Sequence, residues 1–236
     1  MTVRRNIYGT SGPIADTKGP NTKCAYFDGS SHISFPFNAG HTFGNGKFTI
    51  DFWMKMDGSG DIGQQIVNRF DASADQWYIG RYLQLPSSPE GIRAEWNFTE
   101  QIKVEAFFDI IDFKWHHVAW VRETGTGTND VMRIYIDGDS YGTTLCSDQL
   151  VGTSGIYIGR MAWGALSFYI GYLTNARIVK GEALWTGSSS FTPPGLYDIY
   201  DIDSNTTLYC PFLYDFDDHS SLNLSATNDG VVLVNI

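Results

Sequence analysis

The chain has few basic residues for its length of 236: 16 Lys and Arg stand against 26 Asp and Glu, giving a formal net charge of −10. Its one basic doublet is Arg4-Arg5. A protein that binds nucleic acid through the phosphate backbone needs clustered Lys and Arg to displace counterions. The composition therefore argues against nucleic acid as a partner.

Long apolar runs are also missing from the sequence. No uninterrupted apolar stretch approaches the roughly 20 residues that a helix needs to cross a bilayer. The first ten residues carry positive charge, but no apolar core of a secretion signal follows them. These absences predict a protein that does not insert into a membrane and that is made in a cytoplasm.

Cysteine is scarce and widely spaced. The chain has Cys24, Cys146 and Cys210. An odd number of cysteines without close spacing fits neither a disulfide framework nor a zinc site. We therefore expect buried, reduced thiols.

Helical periodicity is absent as well, since no window of helical length keeps an apolar stripe with a period of 3.6 residues. Short segments alternate instead. One face of the segment Phe48–Met56 carries Phe48, Ile50, Phe52, Met54 and Met56. Clusters of Gly, Asn, Asp and Ser separate segments of this kind. The predicted fold class is all-β, an antiparallel two-sheet jelly-roll sandwich with little or no helix.

Three parts of the chain differ in pattern. Residues 1–23 lack strand alternation and are expected to be an N-terminal arm or attachment segment, and residues 24–194 are expected to form the jelly roll. Strand patterns return in 195–236, where two arrangements are open. These strands either complete the same sandwich, which we favour, or pair with a neighbouring subunit, because unpaired sheet edges invite association.

The acidic residues do not form a catalytic pattern. Retaining glycosidases hold two carboxylates about 5 Å apart, which on one strand requires an even spacing. Asp109 and Asp112 are three positions apart and would point to opposite faces. His116 and His117 are adjacent, so they cannot chelate one ion, and we expect one at the surface and one packed. We predict no catalytic residue and a protein that is not an enzyme.

Acidic turns make calcium the one cofactor to consider. Asp215 and Asp217, or Asp137 and Asp139, could join backbone carbonyls around a structural calcium ion, which prefers oxygen ligands. The alternative is that these four residues are solvated acids of surface turns. No other cofactor is predicted.

Aromatic rings and amides near loops suggest a sugar site. A ring can cover the C–H face of a sugar while a side-chain amide binds its hydroxyls. Trp163 and Trp77 lie near loops, and Asn97 offers an amide, as do Asn68 and Gln76. Trp163, Trp77 and Asn97 are the predicted glycan-contacting residues.

Several segments together carry a resemblance to a known family: Ala25-Tyr-Phe-Asp-Gly29, Phe48-Thr-Ile-Asp-Phe-Trp53, Trp115-His-His-Val-Ala119, Ile156-Tyr-Ile-Gly-Arg160, Lys180-Gly-Glu-Ala-Leu-Trp-Thr-Gly187 and Phe191-Thr-Pro-Pro194. They resemble the laminin-G-like branch of the concanavalin A-like jelly rolls, in particular the versions found in bacteriophage virion proteins. In such relatives an acidic pair precedes the Arg-Ile of a late strand. Here Thr174-Asn175 takes its place, which weakens the implication of an inherited calcium site.

The resemblance implies a structural, non-enzymatic component of a tailed-phage particle, in head decoration, a fibre or the tail. The implied partners are other virion proteins of the capsid or tail and further copies of the chain in a homo-oligomer, and the implied location is the virion. A fold shared by many proteins does not fix function. The alternative is a carbohydrate-binding module that recognises a host cell-surface glycan.

Overall fold

The computed structural model describes residues 22–57, 63–69, 77–82, 91–97, 102–106, 112–161 and 167–236, with the backbone alone for 82 and 102–106. The strands in these residues are, in chain order, Lys23–Asp28 (β1), His32–Phe35 (β2), Phe48–Met56 (β3), Gln65–Arg69 (β4), Trp77–Tyr82 (β5), Gly91–Trp96 (β6), Ile102–Ala106 (β7), His116–Arg122 (β8), Asp130–Ile136 (β9), Asp139–Cys146 (β10), Ile156–Ile158 (β11), Ile170–Lys180 (β12), Thr206–Cys210 (β13), Thr227–Asp229 (β14) and Val232–Asn235 (β15).

The strands form two antiparallel sheets. The first has the order β10-β9-β8-β3-β12-β1-β15, with β13 also paired to β12, and the second has the order β14-β2-β11-β4-β5-β6-β7. The only helical element in the described part of the chain is the 3₁₀ turn Ala39–His41. The all-β prediction is confirmed. Among the described residues no helix has the length and apolarity to span a bilayer.

The core lies between the two sheets and is rich in aromatic rings. Trp120 of the first sheet has its ring centroid 5.9 Å from that of Trp77 and 5.8 Å from that of Trp96, both of the second sheet. Phe48 packs edge-on against Trp120 at 4.9 Å. Because each buried aromatic ring removes a large apolar area from water, this cluster is a main source of stability.

The C-terminal strands pair within the chain. β13 pairs with the second half of β12, β14 with β2 at the edge of the second sheet, and β15 with β1 at the edge of the first. The backbone N–H of Ile236 also donates to the carbonyl of Thr22, at 2.8 Å. In this structure residues 206–236 therefore supply β13 and β15 to the first sheet and β14 to the second. Residues 1–21 of the expected N-terminal arm lie outside the described residues, and Lys23 begins β1.

Residues 181–200, which we call the strap, run along the outer face of the first sheet. Trp185 and Phe191 stack on each other at 4.3 Å and pack with Ala119, Val121 and Tyr135 of that face. The strap approaches the sheet closely, since a Cβ on Gly138 would lie 1.9 Å from the carbonyl oxygen of Phe191. Gly138 also has a φ of +88°. The β9–β10 turn therefore requires glycine, both for its backbone angle and for the strap.

The three cysteines are buried and free, as predicted. Burial raises the pKa of the Cys24 thiol to about 11. A thiol with such a pKa is almost entirely protonated at neutral pH and is a poor nucleophile.

Candidate functional site

A row of four polar or aromatic side chains crosses the outer face of the second sheet. Tyr157 of β11 lies opposite Asn68 of β4, Asn68 opposite Tyr78 of β5, and Tyr78 opposite Glu95 of β6. Directly opposite residues of antiparallel strands share a face. We call Tyr157, Asn68, Tyr78 and Glu95 the polar row.

Strand alternation explains why this row faces outward. The neighbours of Tyr157, namely Ile156 and Ile158, are buried in the core, as are Trp77 and Ile79 on either side of Tyr78. Successive side chains of a strand point to opposite faces. The polar row is therefore set by the apolar residues around it, which direct it away from the core.

Glu95 is held at one end of the row by two donors. Its Oε2 accepts from the Tyr78 hydroxyl at 2.8 Å and from Arg93 Nη1 at 3.0 Å. Burial, and to a smaller extent the negative charge of Glu95, raises the pKa of Tyr78 well above its usual value. Tyr78 is thus a hydroxyl donor at any physiological pH, and the carboxylate is both oriented and charge-compensated.

Asn68 lies at the middle of the row and is 0% exposed. Its Nδ2 donates to the carbonyl of Arg160 at 2.5 Å, whereas its Oδ1 has no hydrogen-bond partner among the described residues. A buried acceptor without a donor costs about 1–3 kcal/mol. Because the side chain is closed to solvent in this structure, a ligand hydroxyl could satisfy Oδ1 only after a neighbouring side chain moved.

Tyr157 joins the row to the side chains of Arg160 and His32. The Arg160 guanidinium carbon lies 5.5 Å from the centroid of the Tyr157 ring, and the His32 ring stacks near the same ring at 6.3 Å. Rings, an amide, a carboxylate and the Arg160 guanidinium together form a surface that can bind a polyhydroxylated ligand. Each hydroxyl can donate or accept a hydrogen bond, and the rings can cover apolar C–H groups.

The outer face of the first sheet is built differently under the strap. Asp51 is 0% exposed and accepts from Arg177 Nε at 2.9 Å, from Arg177 Nη2 at 3.0 Å and from His117 Nε2 at 3.3 Å. Burial alone would raise the pKa of Asp51, but the charge of Arg177 and these hydrogen bonds hold it below its ordinary value of 3.8. Both carboxylate oxygens are used, so this cluster is structural.

The strap covers that cluster. Arg177 packs against the ring of Tyr200, with its guanidinium carbon 4.5 Å from the centroid. Trp53 Nε1 donates to the carbonyl of Pro194 at 3.1 Å, and the Tyr135 hydroxyl donates to the carbonyl of Gly187 at 2.8 Å. The strap thus has the structural task of covering a sheet face.

The predicted glycan residues fall in three different places. Trp77 is 1% exposed and packs in the core, so its prediction as a glycan contact is wrong: the strand begins at Trp77 itself and turns that side chain inward. Asn97 is half-buried directly after β6, with a φ of 50°, and its role stays a prediction. Trp163 and Gln76 lie outside the described residues.

The predicted calcium ligands are engaged by hydrogen-bond donors from the protein. Asp137 accepts from His116 Nδ1 at 2.7 Å and from the backbone N–H of His117 at 2.8 Å, and Asp139 accepts from Ser190. Asp215 accepts from His219, and Asp217 accepts from Ala226 N. In the described ranges no group of three or more His, Cys, Asp or Glu residues is placed to hold a metal ion.

Both residues of the histidine pair are buried. His117 bonds Asp51 under the strap, and His116, at 6% exposure, lies between Asp112 and Asp137. Their opposite directions were predicted correctly, but the expected surface position of one of them was wrong. Asp112 and Asp137 draw the His116 ring against the sheet, because each accepts a hydrogen bond from one of its nitrogens.

Tyr157, Tyr78 and Arg160 were missed as site residues by the reasoning from sequence. The alternation of Ile156-Tyr157-Ile158 already indicated that Tyr157 faces away from the core. Its neighbours in the row belong to strands that are distant in sequence, so only the sheet order brings them together.

The chain matches one family model over residues 27–184, more than half of its length. That model is Laminin_G_3, described as the concanavalin A-like lectin/glucanases superfamily. No curated protein matches the chain in sequence.

Solved structures with the same fold are distant in sequence. A Bacteroides ovatus protein, provisionally described as carbohydrate-binding, has 16% identity and a TM-score of 0.65; the match covers 92% of this chain and 60% of that one. A heptameric SAP-like pentraxin from Limulus polyphemus has 16% identity and a TM-score of 0.57, and the match covers 91% of this chain and 95% of the pentraxin chain. Domain 4 of an extracellular arabinanase from Geobacillus stearothermophilus, solved with arabinotriose, has 18% identity and a TM-score of 0.52. That match covers 68% of this chain and 71% of the arabinanase domain. Likeness at these identities shows the fold alone.

Proposed function

Since the chain belongs to the concanavalin A-like lectin/glucanases superfamily, we propose that it is a non-catalytic carbohydrate-binding protein whose ligand lies on the outer face of the second sheet. Two of the similar structures support this choice by description: one is provisionally described as carbohydrate-binding, and the other was solved with arabinotriose. The proposal favours the carbohydrate-binding alternative over the virion role.

The polar row is the observation that carries the proposal. Tyr157 and Tyr78 are half-buried and flank Asn68, whose Oδ1 has no donor within the described ranges. A face that served only stability would gain from a satisfied or apolar residue at this position. The two half-buried rings offer apolar surface to the sugar, and a saccharide hydroxyl that reached Asn68 Oδ1 after a local side-chain movement would remove the cost.

The row also argues against hydrolysis on this face. Glycosidases of the retaining and inverting kinds need two carboxylates on opposite sides of the scissile bond. The row contributes Glu95, whose carboxylate is bound by Tyr78 and by Arg93. We therefore expect binding without turnover, measured as unchanged oligosaccharides after prolonged incubation with the protein.

A glycan array tests the proposed function. We expect the wild-type chain to bind a restricted set of glycans, and the Tyr157→Ala variant to lose at least about tenfold in affinity, because a hot-spot aromatic typically contributes 2 kcal/mol or more. Tyr197→Ala is the matched control, since Tyr197 is 49% exposed and belongs to the strap, which packs on the first sheet and not on the second.

Two outcomes would contradict the proposal. Binding of no glycan by the wild-type chain would exclude carbohydrate recognition. Loss of binding in Tyr172→Ala with full binding in Tyr157→Ala would move the site to the first sheet, where Tyr172 and Tyr26 form an outward pair with ring centroids 4.9 Å apart.

The virion role stays a prediction that rests on the resemblance of 180–194 to phage proteins. None of the similar structures reported above is a virion protein, and the homo-oligomer and the virion location rest on the same resemblance. Carbohydrate binding and a place in a virion are compatible in one protein. Mass spectrometry of purified particles would test the virion role, which fails if the chain is absent from them.

A further inference from the structure

Arg160 has an unusual electrostatic position on the face that holds the polar row. It is half-buried, and its Nε is removed from solvent without a hydrogen-bond acceptor among the described residues. Arg69 donates to the backbone carbonyls of His41, Gly152 and Ser154. Four other arginines of the described ranges have carboxylate partners: Arg93 with Glu95, Arg122 with Asp130, Arg133 with Glu123 and Arg177 with Asp51. Arg160 has none, so its charge is uncompensated in the part of the chain that the structure describes.

Arg160 is held through both its side chain and its backbone. Its guanidinium lies over the Tyr157 ring, and its carbonyl accepts from Asn68 Nδ2. Gly159, which precedes it, has a φ of +94°, and a Cβ there would lie 2.3 Å from the Phe27 ring. The turn that presents Arg160 is therefore tied to the core, which favours a preorganised site.

The charged and titratable residues on the same face as Arg160 include His32, Asp229 and Glu95. Burial, followed by the positive charge of Arg160, lowers the pKa of His32, while Asp229 acts in the opposite direction. Asp229 Oδ2 lies 3.4 Å from His32 Nδ1, and Glu95 is bound by Arg93 and Tyr78. Among the described residues, Asp229 and Glu95 thus each lie next to a partner other than Arg160.

We propose that the carbohydrate bound on this face carries a carboxylate, as in a uronic or ulosonic acid, and that Arg160 binds that carboxylate. The inference rests on the proposed function and adds the class of ligand. A guanidinium presents a planar fork of N–H groups that matches a carboxylate in a bidentate way. The ligand's neutral hydroxyls then face Tyr157 and Asn68, at the middle of the row.

An array of matched pairs tests the inference directly. Each acidic glycan is printed beside its twin without the charge: the carboxyl-reduced form for uronic acids and the methyl ester for ulosonic acids. Sulfated twins of the same glycans form a third set. We expect binding to the carboxylated members, with at least about tenfold weaker binding to their uncharged twins, because hydrogen bonds to charged groups are among the stronger ones.

Variants assign the preference to Arg160. On the best carboxylated glycan, calorimetry should show a loss of about tenfold or more for Arg160→Gln, and a smaller loss for Arg160→Lys, which keeps the charge but not the fork. The affinity for the uncharged twin should stay within about twofold of wild type. Lys114→Gln is the control for net charge, since the Lys114 side chain is 75% exposed. Thermal melting of each variant checks that it is folded.

The outcomes separate the inference from the proposed function. Equal or stronger binding of the uncharged twins, or a preference for the sulfated twins, overturns the carboxylate while carbohydrate binding stands. An equal loss in Arg160→Gln and Lys114→Gln also overturns it, since the effect would then be one of net charge. Binding of no glycan at all overturns both.

Discussion

The outer faces of the two sheets both carry buried polar side chains, but the central side chains of the two faces differ in how their oxygen atoms are paired. Under the strap, Asp51 uses both carboxylate oxygens on Arg177 and His117. On the second sheet, Asn68 keeps an acceptor without a donor in the described part of the chain. The cluster under the strap also contains buried atoms without a hydrogen-bond partner among the residues that the structure describes, His117 Nδ1 and the Tyr200 hydroxyl, so the two faces differ at their central group and not throughout. A central carboxylate with both oxygens paired adds to the rigidity of the fold, whereas a central acceptor without a donor calls for an explanation. We expect the first face to stabilise the fold and propose that the second binds a ligand.

The largest expected effect belongs to the face under the strap. Arg177→Met should destabilise the protein by about 3–5 kcal/mol, because it leaves the carboxylate of Asp51 buried without its cation. Chemical denaturation measures this loss. Asp51→Leu/Arg177→Met is the control and should be more stable than Arg177→Met alone, since it removes both charges. Surface substitutions usually change the free energy of unfolding by no more than about 0.5 kcal/mol. If the effect of Arg177→Met alone stayed within that range, the cluster would not be structural.

Gly138→Ala should have the next largest effect, a destabilisation of about 2 kcal/mol. The added Cβ would collide with the Phe191 carbonyl, and alanine is strained at a φ of +88°. Thermal unfolding gives the magnitude. Gly181→Ala is a matched control, since its φ is also +88° but nothing lies within 4 Å of the added Cβ. An equal loss in the two variants would attribute the effect to backbone strain and not to the strap.

Tyr78→Phe should change binding more than stability. It removes the hydroxyl that donates to Glu95 at 2.8 Å, so the carboxylate loses one of the bonds that position it. We expect glycan affinity to fall by about threefold to tenfold, and stability by no more than about 1 kcal/mol. Calorimetry and denaturation of the same sample separate the two. A large loss of stability with unchanged affinity would assign this end of the row to structure.

Acid should weaken the strap-covered face gradually. The pKa of Asp51 is below its ordinary value of 3.8 in the folded protein, so the unfolded chain binds a proton at higher pH than the native state does. The contribution of the ionised Asp51 carboxylate to the free energy of unfolding is therefore fully present at neutral pH. It is lost as the pH falls below about 4 and through the pKa of Asp51 in the folded protein. Denaturation midpoints recorded from neutral pH downward should decrease below about pH 4, and they should decrease less steeply in Asp51→Asn than in the wild-type protein. An equal slope in the two proteins would assign the acid sensitivity to other groups.

Much of the architecture could be predicted from alternation, because burial on one side of a strand imposes a two-residue period on the sequence. Phe48–Met56 shows this directly: its five alternate apolar residues all lie in the core. Trp77 shows the limit. A tryptophan beside a loop looked exposed, but a shift of one residue in the start of a strand exchanges the two faces. The outward residue is Tyr78, its neighbour.

By itself, then, the sequence determined the class of fold, the family resemblance and the buried state of its cysteines, since these follow from composition and local period. Only the tertiary structure decided that residues 180–194 cover a sheet, that residues 206–236 pair within the chain, and that Tyr157, Asn68, Tyr78 and Glu95 form one row. The reason is physical: strand order and register join residues far apart in the chain, and local patterns carry no information about which strands become neighbours.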